Sequence, residues 1–212
     1  MTYGLLIETG TERGLTALVD KDRVIEAVEL PFGFQNSKTL LPTIDKILTH
    51  HAIAPKELSF IAVGAGPGSY TGLRVGVAAA KGLAFACNVP LIALSTLETF
   101  VPVGEMGIVV LVDAKIGGAY VHEKGQPDRV VPLEELKLAT GTKVITPQAN
   151  PLRKKWEKHY PEHVLMWEEK GPDPYRMAQL AWEKWSRKEY STSGEVEIQY
   201  LRKTQAEIER NG

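Results

Sequence analysis

One segment of this 212-residue chain concentrates the residue types that chemistry uses: Gly66-Pro67-Gly68-Ser69-Tyr70-Thr71-Gly72-Leu73-Arg74-Val75-Gly76. It follows an apolar run at residues 58–64 and opens an alanine-rich stretch, so it reads as strand, glycine turn and helix. In that geometry backbone N–H groups and a helix N-terminus can hold an anion. It is not a P-loop, because no Gly-Lys-Ser/Thr follows the glycines. Nor is it a dinucleotide fingerprint, since the glycine spacing differs and no acid closes the next strand. Two readings stay open: a ligand-phosphate cradle, or a tight turn whose glycines allow positive φ and close helix–strand packing. The missing lysine weighs against the cradle. Ser69 among glycines resembles a nucleophile elbow, but the order Gly-x-Gly-Ser-Tyr-Thr-Gly is not Gly-x-Ser-x-Gly.

Two carboxylates, Glu8 and Asp113, each end an apolar run before a glycine-containing turn. A pair entering from two lobes would suit magnesium and phosphate chemistry, whereas an acid that only starts a turn needs no such role. The five histidines (His50, His51, His122, His159, His163) show no metal-ligand spacing, and no metal is expected. His50 and His51 are neighbours, so on a helix they point about 100° apart and would not share an ion. They read as a solvated helix end. The single cysteine, Cys87, offers neither a disulfide nor a zinc cluster.

Three short strands, at 4–9, 14–19 and 23–30, precede a helix over about 38–50 with Ser37 as its cap. Leu40, Leu41, Ile44, Ile47 and Leu48 share one stripe of that helix, and Pro42 falls near its start. A buried strand at 58–64 leads through the glycine turn into a helix over about 72–87. Lys81 is its only charged side chain between Val75 and Cys87, so it wants cover on nearly every side. A strand at 91–94 and a helix starting at Ser95 or Thr96 follow. Pro102, Gly104 and Gly107 mark a joint, dividing a first lobe at 1–103 from a smaller one at 104–212. Beyond it come a strand at 108–112 ending in Asp113, a partner at 119–122 across Lys115-Ile116-Gly117-Gly118, a strand at 143–146 and a helix at about 174–188. An apolar–polar alternation, Val196 to Leu201, precedes a charged tail.

Composition narrows the function classes. Hydrophobic residues make up 43% and charged residues 24%, ordinary for a globular core. A net charge of −1 gives no basic excess for autonomous grip on nucleic acid. The cluster Arg153-Lys154-Lys155-Trp156-Glu157-Lys158 mixes basic and aromatic groups, as RNA-binding surfaces do. Its acids favour a solvated helix face. The N-terminus lacks the basic and long apolar regions of a signal peptide, and no apolar run reaches membrane length, so a cytoplasmic location is expected.

The glycine segment, followed by Ala80-Lys81-Gly82-Leu83-Ala84, resembles the signature of the TsaB (YeaZ) family. Further matches run in order: Glu8-Thr9, Ser37 with Leu40-Leu41-Pro42, Leu94-Ser95-Thr96-Leu97-Glu98, Val112-Asp113-Ala114-Lys115 and Tyr200-Leu201-Arg202. The resemblance implies an α/β fold of two ribonuclease-H-like lobes of the actin-like ATPase superfamily, the second reduced. It implies a non-catalytic dimerisation subunit of the machinery that makes threonylcarbamoyladenosine beside the tRNA anticodon. Its partners would be a second copy or TsaD, with TsaE, and tRNA reached through the complex. Pairing would use the first-lobe helices, with Val75, Val77, Ala78, Ala79, Lys81, Gly82 and Phe85 as contributors and Leu41, Ile44 and Leu48 beside them. Glu8 and Asp113 would be a vestigial nucleotide site. No cofactor is expected in the isolated chain, with ATP or ADP only at a partner interface.

Departures from the family pattern are local. Glu8 stands where many relatives carry Asp, and Asn36-Ser37-Lys38 where His-Ser-Glu is common. The first-lobe helix lacks the His-x-x-x-His pair of the catalytic paralogue, which argues against transfer chemistry by this chain alone. The alternative is an enzyme of the same superfamily, a nucleotide-dependent phosphotransferase or a glycoprotease-like metallopeptidase.

Overall fold

The computed structural model describes residues 1–33, 36–115 and 118–201. Arg202 and the two central residues of the expected 115–118 turn, Ile116 and Gly117, lie outside them. Strands β1 (Tyr3–Glu8), β2 (Leu15–Asp20), β3 (Arg23–Glu29), β4 (Leu58–Gly64) and β5 (Leu91–Leu94) form one sheet, in the order β3-β2-β1-β4-β5. β1 is antiparallel to β2 and β2 to β3, while β1, β4 and β5 run parallel. Side chains alternate across a strand. Leu5 and Ile7 therefore face one side of the sheet and Leu6 the other, and both sides are buried. Double cover is why β1 and β4 read as continuous apolar runs.

Helices α1 (Asn36–His50) and α2 (Tyr70–Cys87) cover the first side. Leu40, Ile44, Ile47 and Leu48 of α1 and Val77, Ala80 and Ala84 of α2 pack on Leu5, Ile7, Ile61 and Val63. Ser37 lies inside α1 and does not cap it. α2 starts where Ser69 Oγ accepts a hydrogen bond from Gly72 N–H, and it ends at Asn88 in the left-handed conformation.

The second sheet repeats this plan. β6 (Ile108–Lys115), β7 (Gly118–Glu123), β8 (Arg129–Pro132), β9 (Lys143–Thr146) and β10 (Met166–Glu169) lie in the order β10-β9-β6-β7-β8. Again three strands are antiparallel and two parallel to the first. A 3-10 turn, Leu133–Glu135, stands between β8 and β9 where the first lobe has α1, so this lobe is the reduced one. Helix α3 (Ala149–His159), with Leu152 and Trp156 buried, covers it.

The division at 103/104 separates the sheets but not the layers. Helix α4 (Pro174–Ser186) returns to the open side of the first sheet, where Met177, Ala178, Leu180 and Ala181 meet Leu6, Ala17, Phe60 and Ala62. Residues 174–191 thus complete the first lobe, and Ser191 exchanges both backbone hydrogen bonds with Leu91. The helix expected from Ser95 or Thr96 is only a 3-10 turn, Glu98–Phe100, held by Ser95 Oγ accepting from Glu98 N–H. β8 and β10 had no sequence prediction, and α3 carries the 153–158 cluster expected on a solvated helix face, with Trp156 turned into the core. Among the described residues, no helix is long and apolar enough to cross a membrane.

Candidate functional site

The glycine segment lies against the end of β1. Ser69 N–H donates to the Gly10 carbonyl at 2.7 Å, and Thr9 Oγ1 donates to the Gly72 carbonyl at 2.8 Å. A methyl group at Gly68 or Gly72 would run into the backbone carbonyls of Gly10 and Thr9, and one at Gly76 into the Thr9 hydroxyl. Gly66 has φ of 112°, a region side chains disfavour, and its amide donates to Thr96 Oγ1. Of the two readings of this segment, the tight, closely packed turn is the one its contacts explain. The amides of Gly66, Ser69 and Gly72 are committed within the chain.

Glu8 lies beneath this turn with no solvent exposure. Its Oε1 accepts from Gly10 N–H at 2.5 Å, while Oε2 has no hydrogen-bond partner among the described residues and fills the space that Gly64 leaves by lacking a side chain. Burial pushes the carboxyl up from 4.5 to about 7, against the opposing pull of the Gly10 N–H and the Thr96 hydroxyl. Asp113 is in a different setting. Lys155 Nζ of α3 lies 2.9 Å from both of its oxygens, and Lys115 Nζ bridges it to Glu12 of the first lobe at 3.7 and 3.8 Å. Burial raises its pKa, but the hydrogen bonds from Lys155 and the Lys115 amide outweigh that and hold it below the usual range. Among the described residues, no hydrogen bond or ion pair joins Glu8 to Asp113. One carboxyl is sealed in a lobe; the other is a salt-bridge partner.

The ten proposed contact residues divide by face. Ile44, Leu48 and Val77 are buried in the chain's own core, so they support the outer surface from beneath and do not line it. Val75, Ala79 and Lys81 are half-buried. Ala78, Gly82 and Phe85, three or four residues apart, form an exposed stripe on α2, with Phe85 90% exposed and Leu41 of α1 52% exposed. Among the described residues, nothing lies within 4 Å of where a Gly82 side chain would begin. At the start of the helix, the Arg74 guanidinium stacks 3.9 Å over Tyr70 and donates to Tyr200 OH.

Two groupings escaped the sequence reading. Ser95 Oγ donates to Asp128 Oδ2 at 2.5 Å, and His122 Nδ1 lies 2.7 Å from Asp128 Oδ1, beside a cavity of about 500 Å³ also lined by Glu98 and Arg176. With the carboxylate in the middle, the imidazole cannot take the hydroxyl proton, so this is not a nucleophile–base arrangement. Asp128 sits in a polar turn without any motif. The second grouping corrects the histidine reading: His50 Nδ1 and His51 Nε2 both reach Glu26 Oε2. His51 still continues the helical register, its N–H donating to the Ile47 carbonyl at 3.2 Å, so the two imidazoles meet at Glu26 through the reach of their side chains and not through a break in the helical spacing.

Comparison with known proteins agrees with this architecture. The family described as TsaD: tRNA N6-adenosine threonylcarbamoyltransferase matches residues 35–196. The chain is 33% identical over 155 residues to the tRNA threonylcarbamoyladenosine biosynthesis protein TsaB of Bacillus subtilis, covering 70% of this chain and 68% of that protein. It belongs to the TsaB family. The TsaB protein of Escherichia coli is 33% identical over 56% of this chain and 53% of its own length, so the chain spans about half of that relative. YeaZ from Pseudomonas aeruginosa superposes with a TM-score of 0.76 at 23% identity, over 95% of this chain and all of that one. The two-lobed fold of this TsaB-family chain is therefore that of YeaZ.

Proposed function

We propose that this chain serves threonylcarbamoyladenosine biosynthesis as a non-catalytic, dimerising scaffold. It pairs with TsaD or with a second copy of itself, works alongside TsaE, and reaches tRNA through the assembly. The observation that carries this reading is the outer stripe of α2. Its apolar and small side chains, with Phe85 at 90% exposure, have no cover among the described residues although α2 is well capped at both ends. Exposed apolar patches of this kind mark protein partners, and a helix studded with Ala and Gly lets another backbone approach closely. The names borne by its relatives, and the TsaD description that spans 35–196, point to the same assembly.

The carboxylates favour a scaffold over a phosphotransferase or metallopeptidase. Asp113 is already neutralised by Lys155 and Lys115, and Glu8 is sealed under the glycine turn. This reading leaves the isolated chain without a nucleotide and puts any ATP or ADP at a partner interface. Co-purification with TsaD and TsaE, scored by tRNA modification with and without this chain, tests the scaffold. Modification that proceeds equally well in its absence would end the proposal. Tight magnesium–ATP binding by the chain alone, read by calorimetry, would favour the enzyme.

A further inference from the structure

Where the C-terminal end of α1 meets the edge strand β3, three metal-ligating side chains converge. His50 Nδ1 lies 2.9 Å and His51 Nε2 2.7 Å from a single oxygen, Oε2 of Glu26, and the imidazole centroids are 4.8 Å apart. All three donor atoms fall within 4.8 Å of one another. We propose that Glu26, His50 and His51 form a three-ligand site for zinc, with the remaining coordination open to water. Zinc holds nitrogen and carboxylate oxygen donors at about 2.0–2.2 Å, which puts tetrahedral neighbours roughly 3.3 Å apart. The two nitrogen–oxygen separations need to open by about half an ångström, while the two imidazole nitrogens, which lie within 4.8 Å of one another, close toward the same spacing.

Charge and access both suit that ion. Two imidazoles and one carboxylate select a first-row transition cation over magnesium or calcium, which prefer all-oxygen shells. His50 is 71% exposed, leaving an entry path, while His51 and Glu26 are 27% and 29% exposed and held in place. An ion there would bolt the end of α1 to β3 and stabilise the first lobe by linkage.

Isothermal titration of the untagged full chain with zinc chloride, with magnesium chloride as control, tests the site. One zinc per chain is expected, with affinity falling at least tenfold in His50→Ala and in His51→Ala and a zinc-dependent rise in melting temperature lost in both. Glu26→Gln should weaken zinc similarly. His50→Ala keeps the test sound if another variant folds poorly, because its side chain lies outside the core. Zinc that binds the histidine variants as it binds the parent belongs to other donors, such as Cys87 or His163, and overturns the proposal. So does a parent chain that takes no zinc at submillimolar concentration.

Discussion

At the scale of single residues, Glu8 ties the fold to pH. In the folded chain its carboxyl titrates near 7 instead of 4.5, because burial disfavours the charge more than the Gly10 and Thr96 hydrogen bonds favour it. The folded state therefore binds the proton more tightly than the unfolded chain. That contribution is complete below about pH 4.5 and is lost as pH rises through about 7. The interval corresponds to roughly 3 kcal/mol. Glu8→Gln should flatten the fall in denaturant midpoint between pH 5 and 8 and leave the variant the more stable form at pH 8. An unchanged slope would mean the carboxyl is solvated. A methyl group at Gly64 lands on Glu8 Oε2, so Gly64→Ala should cost about 2–3 kcal/mol. Pairing it with Glu8→Ala should restore part of that loss, since the two share one space.

At the scale of elements, α2 was legible as a helix, and as one needing cover on two sides, from its lack of charge alone. Which side each residue took was not. A helix apolar all round has no polar face to orient it, so Val77 and Phe85 look equivalent until the sheet is in place. The structure makes them opposites, one buried at 4% exposure and the other at 90%. Phe85→Asp combined with Ala78→Asp should leave the melting temperature within a degree or two while abolishing self-association and TsaD capture in size-exclusion chromatography. Retained association would move the interface off this stripe. Val77→Asp, by contrast, puts a charge against Leu5 and Ile61 and should unfold the lobe at a cost of several kcal/mol. The histidines illustrate the same limit: a 100° separation on the helix does not keep two long side chains from meeting at Glu26 of another element.

For the whole molecule, the lobes are held by polar contacts around Arg13. Its Nε donates to the Pro147 carbonyl at 2.8 Å, its Nη2 pairs with Glu169 at 2.6 Å, and its guanidinium stands over Phe32. These groups are partly exposed, so Arg13→Ala should cost only about 1 kcal/mol of stability. It should nevertheless loosen one lobe against the other, read as a larger radius of gyration in solution scattering and faster cleavage near residues 101–107. Identical scattering curves would show that the other contacts, α4, Lys115–Glu12 and Ser95–Asp128 among them, fix the arrangement without Arg13.

The sequence by itself determined the strand runs other than β8 and β10, the glycine turn before α2, the two-lobed plan and the family, because those depend on local spacing: apolar period, turn chemistry and an eleven-residue signature. Tertiary structure alone decided that α4 returns to seal the first sheet, that Glu8 loses its water, that Asp113 is claimed by Lys155, and that Glu26 gathers two histidines. Each of these joins residues far apart in the chain, and local pattern carries no term for a contact whose partner lies on another element.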